Sequence, residues 1–332
     1  MFDYSDAFDS DHSWRSEAEA DPEGERDLLI LRAEAFDRGL NVDDIKRRLA
    51  GGKWKAIRRG VYVPAPAVAD LAPEQLHCLR IEAALPQLSS HYVVSHLSAA
   101  CVHGLELLRP PGQAVQVTNP GARSGRRRKM LQIYCAAMDP DEITTVDGYP
   151  VTTVARTLVD MARTCGFEQS VVAVDHALRA GRVVREALET AAERAGRRPG
   201  IRAAHQVMAF ADPGAESVGE SRSRVLMTRE GLPPPEVQFR VLGRSGAMVA
   251  RTDFHWREFN TVGEFDGAEK YGRRLRPGQS AGDAVFQEKL REDRIRELGF
   301  NVVRWTWGEL DDPSALAGKI RRALARGRSL AG

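Results

Sequence analysis

The stretch from Arg251 to Gly267 constrains the fold more than any other part of the chain. Met248–Trp256 alternates apolar and polar residues, and Thr261–Gly267 does so again after a polar turn at Arg257–Asn260. Side chains on a strand point alternately to opposite faces. Glu264 and Asp266 therefore share one face while Phe265 takes the other, and a hairpin through the turn sets Asp253 beside Glu264. Carboxylates clustered at the end of an apolar hairpin repel one another and raise each other's pKa unless a cation sits among them. A divalent metal ion is the economical cation. The plainer alternative is that these acids are solvated strand ends.

The flanking segments extend the pattern. Glu216–Met227 reads as an amphipathic helix that offers Glu220 as a further acid. Asp283–Leu298 reads as a charged helix with Gly299 placed as its C-cap, and Phe300–Trp307 returns as a strand. Helix, strand, strand, helix, strand with acids at the strand ends resembles the PD-(D/E)XK nuclease core, and more narrowly the very-short-patch-repair-like endonuclease domains of bacteria. The resemblance covers residues 216 to about 310 of a domain expected at 216–326.

Carried over by position, Asp253 matches the first acid of that motif and Glu264 the second, so the resemblance implies that these two hold Mg²⁺ or Mn²⁺. Such an ion polarises a phosphate and generates hydroxide from bound water. Glu220 and Asp266 would assist. Asp266 stands where the motif has lysine, a departure that leaves the base unassigned, and Lys270 or Lys289 would supply the missing cation. Arg291 or Arg294 would steady the nucleic-acid backbone. The resemblance thus implies a metal-dependent DNA endonuclease.

A chain of 332 residues has room for two or three domains, and its net charge of only +2 gives no global basic field. The charge is nevertheless uneven. Residues 1–24 carry Asp3, Asp6, Asp9, Asp11, Glu17, Glu19, Asp21 and Glu23 against Arg15 alone, the composition of a disordered acidic tail. Basic residues gather at 46–48, 53–59, 123–129 and 194–198. No apolar run approaches the length needed to cross a membrane, and the acidic N-terminus does not read as a secretory signal. Cys78, Cys101, Cys135 and Cys165 are widely spaced, which suits free thiols in a cytoplasmic protein better than a zinc site or a disulfide framework.

Residues 25–68 read as three short helices and a strand. Glu25–Arg38 forms the first helix, Val42–Leu49 the second with Asn41 as its cap, and Lys53–Arg59 the third, before the strand Gly60–Pro64. That is the order of a winged helix-turn-helix, and the segment resembles the N-terminal domain of AbiEi-type antitoxins. In that arrangement the third helix enters the major groove, where Lys53, Lys55, Arg58 and Arg59 meet phosphates or base edges while Trp54 and Ile57 face the core.

The middle region, 72–198, reads as mixed α/β. Helices are expected at Pro73–Leu88, Val93–Leu105, Pro150–Ala162 and Ser170–Leu178. Val115–Thr118 and Leu131–Tyr134 are expected to form a hairpin, with Arg126, Arg127 and Arg128 in the loop at its tip, within reach of a phosphate backbone. Ser95-His96-x-Ser98-Ala-Ala followed by Arg156-Thr-Leu-Val-Asp160 resembles the second half of AbiEi-type antitoxins, which implies a repressor that binds an operator and answers to a cognate toxin. His91, His96 and His103 lack a matching fourth ligand and read as polar or core histidines. The fold class is thus multidomain α+β. The favoured function is a DNA-binding metal-dependent endonuclease, and the alternative is a non-catalytic antitoxin-like regulator whose nuclease fold serves as a DNA or partner platform.

Overall fold

The structure is a computed structural model that describes residues 28–88, 91–122, 124–267 and 281–330. The expected acidic tail, residues 1–24, lies outside the described residues. The molecule is a multidomain α+β protein that divides into two compact units, residues 1–161 with 190–196 and residues 162–189 with 197–332.

The first unit opens with β1 (Ile30–Leu31), α1 (Arg32–Asp37), α2 (Val42–Ala50), β2 (Trp54–Arg58) and β3 (Val61–Pro64). Asn41 caps α2 as expected, its Oδ1 accepting the N–H groups of Asp43 and Asp44 at 2.9 and 3.0 Å. The Asp44 carboxylate answers by accepting the Asn41 N–H at 3.0 Å, which completes a capping box. The three strands form one antiparallel sheet in the order β1-β3-β2.

Lys53–Arg59 is therefore a strand and not the third helix expected from its sequence. Trp54 and Ile57, three apart, fit a helical stripe, but here they lie in two different cores. Trp54 packs with Ile45 and Tyr62 beneath α1 and α2, whereas Ile57 packs with Val61, Val63, Leu79 and Ala83. With Lys55 and Ala56 exposed between these two anchors, the strand shows no apolar–polar alternation to betray it. Gly60, at φ +80°, closes the turn into β3. A β-bulge between Ala56 and Arg58 turns consecutive side chains to the same side, and Arg58 donates to the Ala83 carbonyl at 3.2 Å.

The rest of this unit comprises α3 (Pro73–Ala84), β4 (Val93–Val94), α4 (His96–Val102), β5 (Val115–Asn119), β6 (Arg126–Arg128), β7 (Leu131–Cys135), β8 (Ile143–Val146), β9 (Tyr149–Thr152) and the start of α5 (Val154–Thr164). The strands make a six-stranded sheet in the order β6-β7-β5-β4-β9-β8. Here a second expectation is corrected. β5 and β7 do pair, but in parallel, with Val117 opposite Ile133. The chain leaves β5, runs out to β6 at the sheet edge and turns at Lys129-Met130 into β7. Arg126, Arg127 and Arg128 are thus exposed on an edge strand and not on a hairpin tip, and charge on an edge strand discourages further pairing.

In the second unit lie α6 (Phe167–Arg179), α8 (Ile201–Phe210) and α9 (Val218–Arg229), with α7 (Arg185–Ala195) spanning the boundary. There follow β10 (Glu236–Leu242), β11 (Met248–Trp256), β12 (Thr261–Asp266), α10 (Ala281–Glu297), β13 (Asn301–Thr306), α11 (Trp307–Leu310) and α12 (Pro313–Leu330). The sheet order is β10-β11-β12-β13, antiparallel except for the parallel pair β12–β13. The expected hairpin is present, with Phe254 opposite Gly263. Phe265 joins the core under α9 and α12, whereas Val262 faces Ile295 of α10. Glu264 and Asp266 thereby share the α10 face, as alternation predicts.

Two features hold this unit together. A Cβ at Gly219 in α9 would lie 2.0 Å from the Phe265 ring, so only glycine lets helix and sheet meet at this distance. Gly219→Ala is expected to destabilise the protein by about 1–3 kcal/mol, even after the gain in helix propensity. Urea unfolding checks this: the midpoint should fall with little change in slope. The second feature is the buried Asp175 of α6, which accepts the Asp212 N–H at 2.8 Å, the Ser221 hydroxyl at 2.7 Å and Arg224 at 3.0 Å. Burial pushes its carboxyl up to about 6 although Arg224 opposes the shift. A group with a raised folded-state pKa favours the fold below its unfolded pKa and loses that contribution as pH rises through the folded value. The contribution is therefore expected to disappear between about pH 4 and pH 7, and Asp175→Asn should flatten the dependence of the thermal midpoint over that window. An unchanged profile in the variant would assign the dependence to other groups.

Candidate functional site

The carboxylates singled out from the sequence do gather on the α10 face of the second sheet, and arginines occupy the space among them. In the parallel register Glu264 lies directly opposite Arg304. Arg304 grips Asp266 with Nε and Nη2 at 2.8 and 2.7 Å, while its Nη1 reaches Glu288 at 2.7 Å, Glu292 at 3.2 Å and Glu264 at 3.3 Å. Arg291 of α10 closes the other side by donating to Glu264, and to Glu288 at 2.8 Å. Glu264 is 3% exposed, and burial raises its pKa against the pull of Arg291 and Arg304. Glu288 is less buried; there the same two arginines outweigh desolvation and hold the carboxyl at about 2. The hydrogen bond to Asp266 leads the causes that raise Arg304 above the usual guanidinium range.

The remaining acids are committed elsewhere. Asp253 accepts the Phe265 N–H at 2.8 Å and so pins the end of β12. Glu220, 7% exposed, accepts the Glu216 N–H, the Ser217 hydroxyl and the Gln238 amide, each at 2.9 Å, and serves the N-terminus of α9. Asp253 and Glu264 as placed do not fit Mg²⁺ or Mn²⁺. Both Glu264 oxygens face guanidinium groups, and among the described residues no three His, Cys, Asp or Glu side chains converge to hold a metal. Lys289 is exposed on α10, and Lys270 lies outside the described residues. Arg304 and Glu288 were missed from the sequence. The signal for Arg304 was a single cation inside the apolar run Asn301–Thr306.

The nucleic-acid candidates fall elsewhere. Lys53, Lys55 and Arg59 are exposed on the β2–β3 hairpin, and Arg58 is half-buried beside them. On α2 the exposed Lys46 and Arg47 pair with Asp43 and Asp44 at 3.1 and 3.2 Å, and Arg48 lies over the Trp54 ring at 4.9 Å. Lys55, Arg58, Arg59, Arg80 and Lys129 line a groove of about 520 Å³. The histidines are structural. His96 stacks on Tyr134 at 3.6 Å, His103 contacts the Thr152 carbonyl at 2.7 Å, and buried His77 bridges Ser98 and the Gly112 carbonyl.

Comparison with known proteins places this geometry. Residues 92–208 match the AbiEi antitoxin C-terminal domain, a later start and end than the 72–198 expected for the middle region. The chain is a protein with an antitoxin-type central domain. It belongs to the family of two uncharacterised Mycobacterium tuberculosis proteins, MT2308 of strain CDC 1551 / Oshkosh and Rv2248 of strain H37Rv, each 32% identical over 244 residues that cover 73% of this chain and 84% of theirs. A crystal structure of the Rv2827c protein from the same species aligns at 16% identity over 59% of this chain and 75% of that one, with a TM-score of 0.36. The AbiEi match ends before the segment 216–326 and gives no support to its expected nuclease kinship.

The arginine cluster makes a stability prediction. Removing one partner of a buried ion pair leaves the other charge uncompensated, at a cost of about 3–5 kcal/mol. Arg304→Ala is expected to cost about that much, and Glu264→Gln in the same chain should recover part of it. A double-mutant cycle by chemical denaturation checks the coupling, and additive effects would mean the two side chains act independently.

Proposed function

We propose that this chain is a cytoplasmic DNA-binding regulator of the antitoxin type, which represses an operator and answers to a cognate toxin. The observation that carries the reading is the AbiEi match over residues 92–208, next to a helix pair and hairpin. In this reading α1, α2 and the β2–β3 hairpin form a winged helix-turn-helix. The major-groove helix is then α2, with Lys46, Arg47 and Arg48, and the hairpin is the wing that brings Lys53, Lys55, Arg58 and Arg59 to phosphates. The exposed Lys46–Asp43 and Arg47–Asp44 pairs are worth little in water, so their cations exchange readily for phosphate. Among the described residues no helix is long and apolar enough to cross a membrane.

Metal-dependent DNA cleavage by the second unit is the competing reading, resting on the helix and strand order around Asp253 and Glu264. The commitment of Glu264 and Asp266 to Arg291 and Arg304 favours regulation over hydrolysis.

Replacing Lys53, Lys55, Arg58 and Arg59 together by glutamine is expected to weaken binding to duplex from the promoter region of the chain's own operon. The slope of log affinity against log salt should also flatten by about 0.9 per lost phosphate contact. An unchanged slope would remove the hairpin from the interface. Supercoiled plasmid incubated with Mg²⁺ or Mn²⁺ should stay intact; nicking that EDTA and Glu264→Ala both abolish would restore the hydrolase reading.

A further inference from the structure

The groove beside the hairpin holds arginines of a different kind from those closed in ion pairs. Arg156, Arg224, Arg291 and Arg304 each meet a carboxylate. Arg58 and Arg80 are also half-buried, yet neither makes an ion pair among the described residues, and Arg58 donates instead to the Ala83 carbonyl. Burial lowers the pKa of both. Among the described residues no Asp or Glu lines the groove, whose remaining walls are Ala56, Ile57, Leu76, Gln113 and Met130. Desolvating a cation without a partner is unfavourable, so a fold that holds two such arginines together creates a strong site for an anion.

The number of charges selects the anion. Lys55, Arg58, Arg59, Arg80 and Lys129 far exceed the charge of about −2 on a single phosphate monoester, so one small anion would leave most of the groove uncompensated. A chain of phosphates matches it. The apolar walls suit deoxyribose between phosphates, and Lys129 leads directly into the exposed Arg126–Arg128 edge strand, which continues the basic surface.

We propose that this groove takes the phosphodiester backbone of DNA, so that Arg80 of α3 and Lys129 of the β6–β7 turn hold the strand on which the hairpin lands. The proposal rests on the DNA-binding reading above and enlarges its footprint beyond the helix–hairpin segment to the sheet that carries the AbiEi match. Contacts of this kind position a duplex without reading its sequence.

The test is fluorescence anisotropy on a mixed-sequence duplex across about 50–200 mM KCl. Arg80→Gln with Lys129→Gln is expected to lower affinity roughly tenfold at the low-salt end and to reduce the salt slope by about 2. The exposed Lys129→Gln alone, which leaves the fold intact, should reduce the slope by about 1, and Lys129→Arg should restore it. Arg326→Gln on α12 controls for general loss of charge. If both groove variants keep the wild-type affinity and slope while the four-residue hairpin variant loses them, the groove proposal falls and the DNA-binding reading stands. If the wild-type protein binds no duplex at the lowest salt, both fall. If inorganic phosphate saturates the groove and duplex does not displace it, the groove is a small-anion site and the proposal is overturned.

Discussion

Arg304 is the residue on which the second unit's site depends. The parallel pairing of β12 with β13 sets it opposite Glu264 and within reach of Asp266, Glu288 and Glu292. Two acids of β12 and two of α10 that face one another need positive charge among them, and a metal ion is one way to provide it. A planar guanidinium with five donors is another, since it satisfies several carboxylates at once and requires no vacant coordination position. In this fold two of the chain's own side chains, Arg291 and Arg304, neutralise the acids.

How much of this was legible depended on whether the deciding contact was local. The β11–β12 hairpin, the placement of Phe265 opposite Glu264 and Asp266, the Asn41 cap and the Gly299 stop of α10 all follow from neighbours in sequence, and all are found. The parallel β5–β7 pairing and the Glu264–Arg304 pair depend on strands brought together across intervening chain. Alternation identifies which residues share a face, but it does not say which strand lies alongside. The need for a cation among the acids was readable, and its identity was not. The segment 53–59 shows a different failure, because a bulged strand anchored at Trp54 and Ile57 in two different cores imitates the apolar spacing of a helix.

The two units differ in how some of their buried and half-buried arginines are met. In the second, Arg224 meets Asp175, and Arg291 and Arg304 meet glutamates and an aspartate, so the charges close on themselves. In the first, Arg156 is closed in the same manner by Glu142 and Asp160 at 2.7 Å each, but Arg58 and Arg80 are left open. Net charge over the whole chain conceals this contrast, since +2 averages a self-neutralised region with an uncompensated one.

The bulge in β2 controls that uncompensated region through parity. Along a regular strand, odd and even positions are addressed to opposite faces, and Arg58 would point toward α2 while Ile57 points toward α3. One surplus residue shifts the address of everything after it, so an apolar anchor and a guanidinium arrive side by side on the α3 side. Deleting a single residue from β2 would leave composition and net charge almost unaltered and still send the cation to the wrong compartment.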